Sequence, residues 1–331
     1  MKKYVTLALF SLMSLSFLAQ DTFSIIAVDP LTGEVGSAGA SCVAGAPVNW
    51  DTWITDIIPG KGGVNSQAYI CIPNSNLANA INRMELGDSP QQIIDWLVLN
   101  DACNSQNFDP EYRQYGIVDL DESNNPRAAG WTGSSADDYK EDRQGPNYSI
   151  QGNILLNVGV IDNMEANFNN TSGTLADKLM AALQGAKVPG ADSRCLADGT
   201  SSRAAYMVVY KPDDNPGEPY LRLVVSTQSN GVEPIDVLQD LYDNFLTVSE
   251  NPLANKVFLF PNPASDFLEL RLDDSITQGT YAISDTSGKQ LVLESINSNT
   301  MRIDVPTLSR GLYFVTITTV AGTITFKFVK K

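Results

Sequence analysis

The stretch that decides the fold is residues 22–36, Thr-Phe-Ser-Ile-Ile-Ala-Val-Asp-Pro-Leu-Thr-Gly-Glu-Val-Gly. Its first seven residues are rich in β-branched and aromatic side chains, which favour a strand. Residues 29–33 carry the proline and glycine of a turn. The run that follows, 34–42, is built largely from small residues, which permit the close approach of another sheet or of a substrate. We therefore predict a β-hairpin formed by residues 22–28 and 34–42.

The order of elements beyond the hairpin predicts two packed sheets covered by helices. Apolar residues at helical spacing predict one helix pair at 76–86 and 90–99, and a second pair at 160–168 and 175–184. Strand-like runs surround these pairs at 63–72, 112–120, 127–133, 148–156, 203–210 and 220–227. A last helix is predicted at 235–245. Helices that come in antiparallel pairs between blocks of strands are typical of an α+β domain with a helical layer outside each sheet.

The composition changes after residue 248. Residues 249–255 are polar and contain Pro252, which predicts a linker. Residues 256–331 hold about seven short β-rich runs separated by turn signals, the pattern of a small Ig-like β-sandwich. We expect four segments, which are 1–19, 20–248, 249–255 and 256–331.

Residues 1–19 have the layout of a cleavable secretory signal. Lys2 and Lys3 precede an apolar run at 7–18 that is too short for a bilayer span. Cleavage after Ala19 makes Gln20 the first mature residue, and cleavage after Asp21 is the alternative. No other apolar run is long enough to span a membrane, so none is predicted to do so.

Composition excludes several classes of function. The 331 residues carry a net charge of −16, and residues 4–255 alone carry −19, so a nucleic-acid partner is not expected. The chain has no histidine, which removes the Ser-His-Asp triad, the Cys-His pair and histidine-bound zinc. Asp119, Asp121 and Glu122 resemble a calcium loop only superficially, and a hairpin turn is the favoured interpretation. No metal and no cofactor is predicted.

Four cysteines, Cys42, Cys71, Cys103 and Cys195, predict two disulfides in an exported chain. Three pairings are possible. The sequence favours Cys42–Cys71, because both cysteines end neighbouring strand-like runs, and this leaves Cys103–Cys195. Free buried thiols are the alternative.

The chemistry of Thr22 depends on where the mature chain begins. A threonine that is the first residue carries its own base, because a free α-amine titrates near pH 8. Behind Gln20 and Asp21 the same nitrogen is an amide. The functional question therefore largely reduces to whether Gln20 and Asp21 are removed from the mature chain.

Several motifs in residues 22–245 carry a family resemblance. Besides residues 22–36 they are Gly-Val-Asn-Ser-Gln-Ala at 63–68, Tyr-Arg-Gln-Tyr-Gly-Ile-Val-Asp at 112–119, Tyr-Ser-Ile-Gln-Gly-Asn-Ile-Leu at 148–155 and Gly-Ala-Asp-Ser-Arg at 190–194. In this order they resemble the DUF1028 proteins, a family of unassigned function grouped with the N-terminal nucleophile (Ntn) hydrolases. The resemblance implies an αββα sandwich and a nucleophile at Thr22. In cytosolic relatives this threonine is expected to follow the initiator Met, whereas here Gln20 and Asp21 precede it.

The same resemblance suggests roles around Thr22. Lys61 or Arg194 would lower the pKa of a free Thr22 amine, and main-chain N–H groups near Ser41 or Gly63 would stabilise an oxyanion. The candidate substrate-binding residues are Ser41, Gln67, Gln151, Asn153 and Asp192. The alternative is structural, with the three amides buried in strands and Asp192 paired with Arg194 to fix a loop.

The C-terminal region carries a second resemblance. Its motifs are Phe-Pro-Asn-Pro-Ala-Ser-Asp at 260–266, Asp285 with Gly288-Lys289, Leu-Ser-Arg-Gly-Leu-Tyr-Phe at 308–314 and Phe-Lys-Phe-Val-Lys-Lys at 326–331. They resemble the C-terminal sorting domain of the Por, or type IX, secretion system of Bacteroidetes. The resemblance implies that residues 256–331 engage the type IX machinery, deliver the protein to the surface or medium, and are removed near residues 249–256. An ordinary adhesive sandwich is the alternative.

Three functional hypotheses follow. The first is an exported amidohydrolase that acts on a small amide or peptide. The second is a catalytically inactive, hydrolase-like binding module at the cell surface. The third, a metal-dependent enzyme with oxygen ligands, ranks last because the sequence shows no ligand set.

Overall fold

The structure, a computed structural model, describes residues 22–249, 253, 256–276, 278–320 and 322–331. The predicted signal at 1–19 and most of the predicted linker at 249–255 lie outside the described residues. The chain divides into two compact units between Leu241 and Tyr242, within its last helix. The boundaries expected at residues 248 and 256 stay predictions.

The predicted hairpin is confirmed. Strand β1 (Thr22–Val28) pairs antiparallel with β2 (Val35–Ser41), from Thr22 opposite Ser41 to Val28 opposite Val35. In the turn Gly33 adopts a φ of +74°, a left-handed conformation that glycine reaches without steric cost.

Two antiparallel sheets form the centre of the first unit. The strands that follow the hairpin are β3 (Thr55–Ile58), β4 (Gly62–Ala68), β5 (Arg113–Leu120), β6 (Pro126–Thr132), β7 (Glu141–Gln144), β8 (Tyr148–Gly152), β9 (Ala204–Tyr210) and β10 (Leu221–Val225). The six-stranded sheet has the order β10-β9-β2-β1-β8-β7, and the four-stranded sheet has the order β3-β4-β5-β6. Strands β1, β2 and β8 face β4 and β5 across the space between the sheets.

Helices cover both sheets. They are α1 (Ser75–Glu85), α2 (Pro90–Leu99), α3 (Gly159–Asn170), α4 (Leu175–Ala186) and α5 (Pro234–Ser249). Helices α1 and α2 pack on the four-stranded sheet, and α3 and α4 pack on the six-stranded sheet. The small residues of β2 let α4 approach closely, because a Cβ on Gly36 would lie 2.7 Å from Leu179 Cδ1. The layers are therefore helices, sheet, sheet and helices, as the element order predicted. No helix among the described residues is both long enough and apolar enough to cross a membrane.

The second unit contains the last part of α5, and from Val257 onward its elements are all β-strands, as predicted. Its strands are β11 (Val257–Phe260), β12 (Phe267–Leu272), β13 (Gly279–Asp285), β14 (Gln290–Ile296), β15 (Thr300–Asp304), β16 (Gly311–Thr319) and β17 (Gly322–Lys330). They form a sheet of order β11-β12-β15 and a second of order β14-β13-β16-β17. Leu268, Ile283, Val315 and Phe328 are fully buried in its core.

The disulfide pairing favoured by the sequence is wrong. The bonds are Cys42–Cys195 and Cys71–Cys103, with Cα atoms 5.8 and 5.2 Å apart. Cys42 follows β2 and Cys71 follows β4, and these strands belong to different sheets. Packed sheets lie about 10 Å apart, beyond the Cα separation that a disulfide spans. Cys42 instead bonds to Cys195, and Cys71 bonds to Cys103, so each bond joins a strand end to a nearby loop.

Candidate functional site

Thr22 is the first residue of an interior strand, and its main chain is held from both sheets. Only 1% of its surface is exposed. Its N–H donates to Asn153 Oδ1 at 3.3 Å. Its carbonyl accepts from Gln67 Nε2 at 2.7 Å and from the main-chain N–H of Asn153 at 3.3 Å. The start of β1 is therefore fixed by Gln67 of the four-stranded sheet and by Asn153, which directly follows β8 of the six-stranded sheet.

Gln67 and Gln151 use their amides inside the protein. Both are fully buried. Gln67 Nε2 also donates to Gln114 Oε1 at 2.9 Å, and Gln67 Oε1 accepts from Ser24 Oγ at 2.6 Å. Gln151 Nε2 donates to the hydroxyl and the carbonyl of Ser24, and its Oε1 accepts from Ser149. These contacts position strands, so the structure places Gln67 and Gln151 beneath the candidate site rather than on its surface.

The network extends to residues that sequence reasoning did not single out. Gln114 Nε2 donates to the carbonyl of Gly152 at 2.8 Å, which ties β5 to β8. Asn65 Nδ2 donates to Ser24 Oγ at 3.0 Å, and Ser37 Oγ donates to Asn65 Oδ1 at 2.9 Å. The sequence could have indicated Asn65, because side chains two residues apart lie on the same face of a strand and Asn65 therefore shares a face with Gln67.

Asp192 and Arg194 form the predicted ion pair beside the end of β2. Asp192 is fully buried, and its oxygens accept from Arg194 Nε at 3.0 Å and Nη2 at 2.6 Å. Asp192 Oδ2 also accepts from the main-chain N–H of Cys42 at 2.8 Å. Ser41, which precedes Cys42, lies directly opposite Thr22 in the sheet. The arrangement brings a guanidinium and its carboxylate to the Thr22 end of the sandwich.

Hydrogen bonds join the loops around Thr22 into a rim. Ser193 N–H donates to the carbonyl of Ile154 at 2.9 Å, and Ile154 N–H donates to the carbonyl of Asp137 at 3.0 Å. The hydroxyl of Tyr69, two residues beyond Gln67, donates to Asp137 Oδ2 at 2.6 Å. We call the set of Cys42, Tyr69, Asp137, residues 153–155 and residues 192–194 the Thr22 rim.

Lys61 does not belong to this site. Its Nζ donates to the carbonyl of Glu85 at 3.3 Å, and it lines a cavity of about 480 Å³ with Asp119 and Arg127. It lies before β4, six residues from Gln67, so about 20 Å of strand separates it from Thr22. Lys61 therefore lies at the other end of β4, away from the residues around Thr22. Gly63, four residues before Gln67 on β4, lies about 13 Å of strand from the Thr22 end.

The acidic cluster is a hairpin turn, as predicted. Asp119 forms an ion pair with Arg127 across the β5–β6 hairpin. Asp121 Oδ1 accepts from the main-chain N–H groups of Ser123 and Asn125 at 2.8 and 2.9 Å. Hydrogen bonds from Asn125, with those from Ser123, hold the pKa of Asp121 below its usual value. These carboxylates are thus engaged by the turn itself.

Comparison with known families separates the two units. The family described as "Secretion system C-terminal sorting domain" matches residues 258–331. A domain of this kind is handled by the type IX secretion machinery, and it marks the chain as a secreted or cell-surface protein.

Comparison with solved structures gives an informative match. The crystal structure of protein SPO2555 from Silicibacter pomeroyi, assigned to DUF1028, aligns with a TM-score of 0.52 and 25% identity, over 68% of this chain and 88% of that chain. The BSP domain of a biofilm associated protein aligns with a TM-score of 0.20 and 9% identity, over 96% of this chain and 52% of that chain, and carries no argument. No curated protein matches the sequence.

The family described as "Family of unknown function (DUF1028)" matches residues 22–236, which is more than half of the chain. The match begins at Thr22 and includes every residue of the Thr22 rim. The chain therefore belongs to the DUF1028 family and ends in a secretion-system sorting domain.

Proposed function

We propose that this protein is an exported amidohydrolase of the N-terminal nucleophile type, with Thr22 as nucleophile, acting on a small amide or peptide. The observation that carries the proposal is the position of Thr22. It begins an interior strand, its main chain is fixed from both sheets, and the Asp192–Arg194 pair lies on the same rim. Because the chain has no histidine, a free Thr22 amine is the familiar base that remains.

The residues support a two-step acyl transfer. The neutral amine of Thr22 takes the proton of its own hydroxyl while Oγ attacks the substrate carbonyl carbon. The amine then gives that proton to the leaving nitrogen as the C–N bond breaks, which leaves an ester on Thr22. Water, deprotonated by the same amine, hydrolyses the ester and regenerates the hydroxyl.

Arg194 is the rim residue suited to assist this reaction electrostatically. Its guanidinium is fixed by Asp192 and its side chain is 30% exposed. Guanidinium N–H donors held in place beside the site would stabilise an oxyanion through hydrogen bonds, while the Asp192 carboxylate balances the charge of Arg194. The main-chain N–H groups after Ser41 are less suited, because those of Cys42 and Val43 donate to Asp192 and to Ser41 Oγ.

The proposal requires that the residues before Thr22 be removed. Cleavage after Asp21 would create the amine, so activity would begin only with that processing step. If Gln20 or Asp21 is retained, Thr22 N–H is an amide that donates to Asn153, as in any strand. In that case the second candidate function, an inactive surface-binding module, would apply.

The test combines identification of the first residue of the secreted protein with an assay of amide hydrolysis. Mass spectrometry of the secreted protein would locate the first residue, and a panel of aminoacyl 4-nitroanilides would report amide hydrolysis. We expect a chain that begins at Thr22 and an activity that Thr22→Ala abolishes. Ser123→Ala, in the exposed β5–β6 turn, is the control and should keep full activity. A secreted chain that begins at Gln20 or Asp21 would exclude the self-based mechanism.

A further inference from the structure

The Thr22 rim carries two carboxylates, of which one is paired with a cation and the other is not. Asp192 is neutralised by the two-pronged contact with Arg194. Asp137 is half-buried, and its Oδ2 accepts from the Tyr69 hydroxyl. Among the residues that the structure describes, no lysine or arginine pairs with Asp137, and its Oδ1 accepts no side-chain hydrogen bond. One side of the rim is therefore electrically balanced, and the other presents a negative charge.

The Tyr69–Asp137 pair is held rigidly. The carbonyl of Tyr69 accepts from Ser105 Oγ at 2.5 Å and from a guanidinium nitrogen of Arg113. Arg113 is fully buried and pairs with Asp101 at 2.7 Å. The ring of Tyr69 packs edge to face on Tyr112, with centroids 5.3 Å apart. A carboxylate that is positioned in advance binds a partner without an additional ordering cost.

The pair lies next to the groups that hold Thr22. The carbonyl of Asp137 accepts from the main-chain N–H of Ile154, and Asn153, one residue earlier, contacts both main-chain groups of Thr22. Tyr69 follows Gln67, which holds the Thr22 carbonyl, by two residues. Tyr69 thus belongs to a segment that contacts Thr22 directly, and Asp137 is hydrogen-bonded to a second such segment.

We infer that Asp137, positioned by Tyr69, whose ring packs on Tyr112, determines specificity, and that the substrate is an amide bearing an ammonium or guanidinium group. This rests on the proposed function. A carboxylate binds such a group through charge-assisted hydrogen bonds, and aromatic rings beside it favour cations further. The net charge of −16 also attracts cationic and repels anionic molecules.

The test measures binding, so that it does not depend on catalysis. The probes are N-acetyl-arginine amide and its neutral isostere N-acetyl-citrulline amide, titrated against full-length Thr22→Ala protein in 0.15 M salt. We expect the cationic probe to bind about tenfold more tightly. Asp137→Asn should erase that preference, and Tyr69→Phe should reduce it.

Asp138→Asn is the matched control. It makes the same charge change in the same loop, but the Asp138 side chain is 83% exposed and pairs with Lys140. It should keep the preference. Equal losses in Asp137→Asn and Asp138→Asn, or no preference in the parent, would overturn the inference. A preference that persists while no amide is hydrolysed would count against the proposed function alone.

Discussion

At the scale of single residues, the centre of the sheet interface is a chain of buried hydrogen bonds. Ser24 donates to Gln67 and accepts from Asn65 and Gln151, so one hydroxyl joins three strands of two sheets. Every donor in such a network must be satisfied, because an unpaired buried polar group costs about 1–3 kcal/mol. The network thus favours one register for β1, and with it one position for Thr22.

Gln67→Leu tests this account of the interface. The substitution leaves the Thr22 carbonyl and Gln114 Oε1 without the donor they use here. We expect the free energy of unfolding to fall by about 3 kcal/mol. Urea denaturation monitored by circular dichroism would measure it. Gln91→Leu, at an exposed position of α2, should change stability by less than about 0.5 kcal/mol. A loss for Gln67→Leu as small as this control would contradict the account.

The sequence predicted part of this residue-level picture. Gln67, Gln151 and Asn153 were candidates because they occur in strand-like motifs. Gln114 and Asn65 were not singled out, although they bond to the same groups. Which strand faces which across two sheets is set by long-range pairing, and local patterns do not encode it. For the same reason the sequence does not reveal that a whole strand separates Lys61 from Thr22.

At the scale of elements, most helices and strands were predictable, and the exceptions have physical causes. Helix α2 begins at Pro90 because proline suits the first helical turn and Ser89 caps it. Strand β7 (Glu-Asp-Arg-Gln) lacks apolar residues because it lies at a sheet edge, so its sequence shows no strand period. The strand expected at 63–72 ends at Ala68, whose φ of +63° breaks the extended chain.

Disulfide mapping tests the placement of β2 and β4 in different sheets. Each cysteine lies in a different tryptic peptide, because Lys61, Arg83, Arg113 and Arg194 separate them. We expect a non-reducing digest to yield the cross-linked peptides Cys42–Cys195 and Cys71–Cys103, which reduction separates. A peptide that joins Cys42 to Cys71 would contradict the two-sheet arrangement, since it would require β2 and β4 to end side by side.

The turn between β13 and β14 gives a prediction about pH. Hydrogen bonds from Ser287 lower the pKa of Asp285, with a further contribution from the main-chain N–H of Lys289. The folded pKa lies below the unfolded value of about 3.9, so the stabilisation is complete above that pH and is lost as pH falls through the folded pKa. Carbon-13 NMR titration should show a lowered pKa for Asp285 that rises in Ser287→Ala. The exposed Ser295→Ala should leave it unchanged, and an unshifted Asp285 in the parent would refute the prediction.

At the scale of the whole molecule, the chain joins a DUF1028 domain to a sorting domain. Both were recognisable from ordered motifs, because several short motifs in the right sequence are specific where each alone is weak. The catalytic proposal does not follow from the fold, since one fold supports many chemistries. The proposal depends on the amine and hydroxyl of Thr22 at the start of β1.

Deletion of residues 256–331 tests the role of the second unit. In a host with a type IX system, the truncated protein should accumulate in the periplasm, while the full chain reaches the surface or medium. Immunoblots of cell fractions would measure the distribution, with the Ser123→Ala chain as a control that is exported normally. Export of the truncated protein in the same proportion as the full chain would show that the sorting domain is dispensable.

The most direct test of the central claim is the identity of the first residue of the secreted protein. Intact-mass and N-terminal peptide measurements on protein recovered from the medium would show it. The account predicts a chain that begins at Thr22, with a free amine beside Asn153 and the Asp192–Arg194 pair. A chain that begins at Gln20 or Asp21 would contradict it, because Thr22 would then be an ordinary strand residue.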